Sequence, residues 1–483
     1  MVFSTSFFLT FILPVLLILY FLTDRKYKNY FLVIFSCFFY AWGAPRFIFV
    51  ILATTLIDFY LVKFMNASEG RLKRRVLLFA SVIINVGLLF YFKYCHFFID
   101  TVNDIVHAFG GSSTIGWTKL VFPIGISFYT FETITYVVDV YRKVHAPLTR
   151  FTDYLLYIIL FPKLIAGPII RYHEISDQLT DRRANDNADN KLSGFYIFCV
   201  GLAKKVLIAD TMGHIADSVY GQMGTGLNAI DPSTLSTGTA WIAALAYTFQ
   251  IYFDFSGYSN MAIGLGKLLG FIFPENFNSP YISESITEFW RRWHITLGNW
   301  MRNYLYIPLG GNKVSAFRLY FNLWIVFILS GFWHGASWNF ILWGVWHGLF
   351  LVLERSFLLK VTAKLGKVPR MLLTFLIVVI GWVLFRVENL PLAFKYIASM
   401  FSSSNLGFVY KLNGQEITIG LIAVFFSWFA VLKPLGDFQY YFFQQKLNLK
   451  SHFYIAPICI LLFILSLASI ADNSFNSFIY FRF

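Results

Sequence analysis

Charge is scarce in this chain. Of 483 residues only 13% are Asp, Glu, Lys or Arg, against roughly 25% in an average soluble domain. A chain with so little charge cannot dress itself for water, which excludes a soluble enzyme or a soluble nucleic-acid-binding domain. Cysteine is scarcer still. Cys37, Cys95, Cys199 and Cys459 each lie in or beside an apolar segment and form no C-x-x-C pair, the pattern of buried apolar cysteine. The start lacks the basic residues and small-residue cleavage site of a secretory signal peptide, since 1–6 carry no Lys or Arg. The common chemical motifs are missing too. His173-Glu174 is not followed by a second histidine at zincin spacing, and no Gly-rich phosphate loop or G-x-S-x-G elbow occurs. Gly264-x-Gly266-x-x-x-Gly270 misses the dinucleotide spacing. These absences remove the usual devices for metals, nucleotides and serine hydrolysis, and no metal site is expected.

What the chain has is apolar surface. Hydrophobic residues make up 58% of it, phenylalanine alone contributes 57, and the mean hydropathy is +0.63. Continuous apolar runs occupy 7–21, 30–42, 47–64, 76–92, 120–140, 154–170, 195–208, 241–252, 319–332, 340–353, 371–384, 417–432 and 453–470. A membrane span needs about 20 mostly apolar residues, so several runs are too short to cross alone. The reading is an all-α integral membrane protein with roughly 10–13 embedded helices, some of them re-entrant or broken. Basic clusters at Arg25, Lys26 and Lys28, at Arg71, Lys73, Arg74 and Arg75, and at Arg142, Lys143 and Arg150 alternate with loops poor in Lys and Arg. That alternation places the basic loops in the cytoplasm and the N-terminus outside. It also accounts for much of the formal net charge of +14, which therefore does not imply nucleic acid.

No 20–50-residue repeat or long linker interrupts the chain, and it reads as a single domain, 1–483, with a distinctive middle at 250–350. The most hydrophilic stretch, 173–191, reads as an exposed loop. In the middle, Asp254-Phe255-Ser256-Gly257-Tyr258-Ser259 puts an acid and hydroxyls beside an apolar run. Trp290, Trp293, His294, Leu297, Met301 and Tyr304 then fall on one face of a 3.6-residue period, with Arg291, Arg292, Asn299 and Arg302 on the other. This pattern predicts one helix, ended by Pro308 and Gly310-Gly311. Two Trp-His-Gly triplets follow, at Trp333-His334-Gly335 and Trp346-His347-Gly348. Ionisable groups inside a membrane are costly and are functional candidates by default. A neutral imidazole can take a proton from a hydroxyl near neutral pH, which suits direct attack of a hydroxyl on an activated acyl donor. The alternative for each histidine is a hydrogen bond between helices. Arg291 and Arg292 fit either a donor's phosphates or an interface where they snorkel. Asp254 reads as the partner of one of them or as a helix cap. Lys204 and Lys205, in mid-segment, read as marking a cytoplasmic helix end, with direct contact to the donor as the alternative, and Tyr258 and Trp290 as packing or substrate-contact residues.

Taken in order, Tyr252-Phe-Asp-Phe-Ser-Gly-Tyr-Ser259, Phe289-Trp-Arg-Arg-Trp-His294, Tyr306-Ile-Pro-Leu-Gly-Gly311 and Ser330-Gly-Phe-Trp-His-Gly-Ala-Ser-Trp338 resemble the motifs of the membrane-bound O-acyltransferase family. Phe161-Pro-Lys-Leu-Ile-Ala-Gly-Pro168 and Gly201-Leu-Ala-Lys-Lys-Val-Leu-Ile-Ala-Asp210 match as well. The likeness is to bacterial members of the kind found as the membrane subunit of alginate O-acetyltransferases, and it covers most of the chain. It implies a ring of transmembrane helices around a central funnel, in the cytoplasmic (inner) membrane. It further implies an acyl thioester donor, acetyl-CoA or a phosphopantetheine carrier, reaching the site from the cytoplasm, and a polysaccharide hydroxyl reached from outside. By the same resemblance His334 is the essential histidine and general base, and His294 the second active-site histidine. The terminal segment Ser477-Phe-Ile-Tyr-Phe-Arg-Phe483 resembles the end of a small partner in teichoic-acid D-alanylation, which raises Tyr480 as an acyl relay; an apolar anchored tail is the alternative. A separate extracytoplasmic acyltransferase partner is expected. Peptidoglycan O-acetylation, teichoic-acid D-alanylation and, from another class, a glycan or acyl transporter without chemistry are the competing functions.

Overall fold

The computed structural model describes residues 3–112, 114–118, 123–223, 230–402, 407–444, 447–472 and 478–479. Among them every regular element is a helix, apart from one isolated bridge between Leu235 and Phe408. Eight described helices are long and apolar enough to cross a membrane, and Phe8–Leu22 is a shorter apolar one. The protein is an all-α, multi-pass integral membrane protein. Its described residues gather into two compact units, Met1–Lys191 with Leu265–Pro274, and Leu192–Gly264 with Glu275–Phe483.

The first unit hides its polar groups by pairing them. Asp58, fully buried in helix Ile48–Ala67, accepts hydrogen bonds from the Ser81 hydroxyl and the Asn85 amide of helix Arg71–Leu89. Lys163 of the 161–168 motif is buried against Glu132 of helix Ile126–Tyr141, with its ammonium 4.9 Å from the centre of the Tyr157 ring. The stretch 173–191 departs from the expected loop. Helix Tyr172–Thr180 fills its first half, and its charges are engaged: Arg182 donates to Asn29 Oδ1 at 2.6 Å, and Asp186 pairs with Lys28 and Lys191 at 3.2 and 2.6 Å. Polarity here marks partners within the fold, not exposure.

The second unit holds His294, His334 and His347. Its helices are α1 (Ala188–Tyr220), α2 (Thr237–Leu268), α3 (Ile286–Arg292), α4 (Ile295–Trp300), α5 (Ala316–His334), α6 (Trp338–Leu353), α7 (Lys367–Arg386), α8 (Gly414–Trp428), α9 (Lys433–Gln444) and α10 (Leu449–Asp472). The run 241–252, too short to cross alone, is the first half of α2, because the polar residues after it continue the helix. They can do so because α1 and α2 touch through glycines. A Cβ on Gly201 would lie 2.6 Å from the Gly257 carbonyl oxygen, and one on Gly264 would lie 2.5 Å from that of Gly194. Glycines seven apart share a helix face, and small residues there let two backbones approach closely. Gly257→Val is therefore expected to force the helices apart and cost about 3 kcal/mol, read as a lowered melting temperature and folded yield in detergent. A surface Gly→Val change without these contacts would not.

Two sets of charged residues differ from what the sequence predicts. Lys204 and Lys205 do not end a helix. They sit midway along α1, where the backbone widens into π-helical turns over Lys204–Ala209. Among the described residues Asp254 pairs with neither Arg291 nor Arg292. It lies 3.1 Å from the Lys205 ammonium, which also pairs with Asp210 at 2.5 Å, and it accepts the backbone N–H of Ile479 at 2.7 Å. A buried acid takes the cation that the glycine-mediated crossing of α1 and α2 brings to it.

Candidate active site

The predicted single helix across 289–311 is broken. Trp293 closes the last turn of α3 through its N–H to the Phe289 carbonyl at 2.8 Å, and His294 then turns left-handed, with φ 45° and ψ 52°. The physical reason lies in Asn276. Its carbonyl accepts the Ile295 N–H at 2.9 Å, and its side-chain oxygen accepts the Thr296 N–H at 3.3 Å and the Thr296 hydroxyl at 2.9 Å. These bonds satisfy donors at the start of α4 that a continuous helix would have satisfied internally. A non-glycine residue in this conformation costs on the order of 1 kcal/mol and persists only where its surroundings hold it.

The same asparagine sets the histidine's chemistry. A backbone N–H can only donate, so the Asn276 atom facing Thr296 is the amide oxygen. His294 Nδ1 lies 3.1 Å from that oxygen, and must carry the proton it donates there. Its Nε2 is then a bare lone pair, buried and without a hydrogen-bond partner among the described residues. That is the tautomer a general base requires.

His334 ends α5. Its position depends on glycine: a Cβ on Gly331 would collide with the Phe340 carbonyl oxygen, one on Gly344 with that of Phe327, and one on Gly335 with the Phe340 ring. The small residues of 330–338 thus let α5 and α6 lie backbone against backbone. His334 is buried, its ring 4.9 Å from Trp333, 5.2 Å from Trp343 and 5.3 Å from Phe385. The Trp333 ring lies 6.3 Å from that of His294. His347 meets the same Trp343 at 5.1 Å and Trp290 at 5.0 Å, and neither of its ring nitrogens has a partner among the described residues.

A cavity of about 610 Å³ is lined by His294, Trp290, Arg291, Arg302, Ser330 and Arg355 among others, while His334 and His347 are not among its lining residues. On α5 its wall follows Leu323, Val326 and Ser330, and His334 continues that face by one turn. The Arg291–Arg292 pair is divided. Arg291 lines the cavity, whereas Arg292 pairs with Glu288 at 2.8 Å and donates to the Asn278 carbonyl at 3.2 Å. Tyr258 and Asp254 do not line it. Tyr258 is buried and stacks on Phe478 at 4.7 Å. Tyr480 lies outside the described residues. Arg355 and Asn276 escaped the sequence reading. Arg355 follows α6 in a surface-like charge pattern, and Asn276 acts from a loop 18 residues away, so neither gave a local signal.

A polytopic helical chain with buried histidines beside an arginine-lined cavity defines a class, the membrane-embedded enzyme. Residues 142–385 match the model of the membrane-bound O-acyltransferase family. The chain is 42% identical to a probable alginate O-acetylase of Pseudomonas aeruginosa over 452 residues, 93% of this chain and 84% of that one. It is 36% identical to a peptidoglycan O-acetyltransferase of Helicobacter pylori over 83% of this chain and 80% of that one. A teichoic acid D-alanyltransferase of Bacillus subtilis matches at 29% over 46% of this chain and 56% of its own length. The chain belongs to the membrane-bound O-acyltransferase family and is an O-acyltransferase, which sets aside the transporter reading.

Proposed function

We propose that this enzyme moves an acetyl group from a cytoplasmic thioester, across the inner membrane, to hydroxyls of an extracytoplasmic or secreted polysaccharide. One observation carries the reading. The cavity that His294 lines is also lined by Arg291, Arg302 and Arg355, and among the described residues no ion pair within 4 Å joins any of the three to a carboxylate. Arginines left without internal partners in a half-enclosed cavity suit an anionic ligand, and guanidinium forks match phosphate. The phosphates of coenzyme A or of a phosphopantetheine arm supply that charge, and the thioester supplies the acyl group. In the reaction the acceptor hydroxyl oxygen attacks the thioester carbonyl while His334 takes its proton. The carbon–sulfur bond then breaks and the thiolate recovers a proton from the imidazolium. His294, whose Nε2 can only accept a hydrogen bond, positions or polarises the reacting hydroxyl. Acetyl is favoured by the names of the relatives matched over most of their length, and polysaccharide over D-alanylation by the shorter, weaker match to the latter. A separate extracytoplasmic acyltransferase completes delivery, and Tyr480 as a relay stays part of the same proposal.

The test is thioester cleavage by the purified protein in nanodiscs with labelled acetyl-CoA and acetylated carrier. Arg302→Ala and Arg355→Ala should each raise the donor KM about tenfold, the loss of one charge-assisted contact, with kcat changed far less. Unchanged KM in both variants would remove the cavity as the donor site.

A further inference from the structure

A second and larger cavity, about 1030 Å³, lies within the second unit, walled by α1, α8, α9 and α10 over a floor from α2. It borders neither His294 nor His334. Along α10 its wall runs from Ile455 to Asp472, and along α8 from Gln415 to Phe426. Seventeen residue steps of helix span about 25 Å, most of a ~30 Å hydrocarbon core. Three of its walls, α1, α8 and α10, are among the helices able to cross a membrane. Its lining is dominated by Phe, Ile and Leu, with one cation, Lys204, and one carboxylate, Asp472, at the far end of α10.

Lys204 stands midway along α1, where a lysine is costly unless something neutralises it. Its neighbour Lys205 is neutralised by Asp210 and Asp254, but no carboxylate oxygen lies within 4 Å of Lys204 among the described residues. It feels the attraction of Glu275 at longer range, and its ammonium sits 5.8 Å from the centre of the Phe443 ring. The helix ends give the cavity a direction. His214 Nδ1 lies 3.5 Å from Glu416, joining the far half of α1 to the start of α8, while Tyr196 bonds His452 at 3.2 Å, joining the near half of α1 to the start of α10. Lys204 lies between these two contacts, beside Phe443 of α9, and the wall of α8 runs from its Phe426 end to Gln415.

An apolar cavity of this size would leave its walls without contact partners, and water gains little there. A long apolar ligand with one anionic group near an end matches both the wall and the lysine. We propose that the cavity binds one anionic phospholipid, its phosphate on Lys204 and its acyl chains laid between α8 and α10 toward Gln415. The proposal stands apart from the acyl-transfer reading and from the donor cavity.

The experiment uses the full-length protein in nanodiscs of equal phosphatidylglycerol and phosphatidylcholine, extracted into mild detergent and examined by native mass spectrometry. The wild type should retain one lipid, with phosphatidylglycerol about tenfold over phosphatidylcholine, the worth of one charge-assisted contact. Lys204→Gln should lose that preference, and Lys204→Arg should keep it. Ile455→Trp, which fills the apolar wall, should lower retention of both lipids. Wild-type protein that retains no lipid, or retains the two in their bulk ratio, would overturn the proposal without recourse to a variant. A Lys204→Gln protein with undiminished preference would do the same.

Discussion

His334→Ala is expected to abolish acyl transfer, lowering the rate by about 10²–10⁴-fold, the contribution of a positioned general base. The side chain sits at the end of α5, enclosed by the rings of Trp333, Trp343 and Phe385. Its backbone is fixed independently by the glycine contacts between α5 and α6. Removing the imidazole should therefore spare the helix pair, and the variant should insert and melt as a folded protein with a modest loss of stability. His334→Gln keeps most of the volume and a hydrogen-bonding group but cannot accept the proton, so it should be as inactive as alanine. Activity retained in the glutamine variant would mean that this residue serves the structure and not the proton transfer.

His294 calls for a different substitution, because its backbone is left-handed. Asparagine tolerates that conformation better than most residues, so His294→Asn should keep the break between α3 and α4 while deleting Nε2. The expected loss is about 10²-fold, with the melting temperature close to that of the wild type. Groups that act in one step are strongly non-additive. The double variant His294→Asn with His334→Ala should then be little slower than His334→Ala alone. Multiplied losses in the double variant would place the two histidines in separate steps. Asn276 enters the same argument, since its side-chain oxygen holds the proton on Nδ1. Asn276→Ala should lose activity through a mixed tautomer, even though Asn276 reaches no substrate.

The membrane architecture was legible because apolar runs of the right length are a direct record of hydrocarbon thickness. The histidines were legible because ionisable residues stand out against that background. Geometry that depends on partners far apart in sequence was not. The periodic face through Trp290, Trp293 and His294 predicts one helix, and nothing local to it reports that Asn276 will capture the donors at Ile295 and Thr296. Lys204 and Lys205 resemble a helix end in sequence, and only the closeness of Gly201 to Gly257 shows why a buried acid is waiting for one of them. Arg291 and Arg292 are adjacent in sequence but part company once Glu288 takes Arg292. Arg355, contributed from beyond α6, joins Arg291 and Arg302 only in three dimensions.

The central claim is that this chain performs the acyl transfer with its buried histidines. Its most direct test is mass spectrometry of surface and secreted glycans from cells whose only copy is either wild type or His334→Ala, with equal protein in the membrane fraction. The account predicts O-acetylated glycan with the wild type and its loss with His334→Ala. Undiminished acetylation in the His334→Ala cells would contradict it.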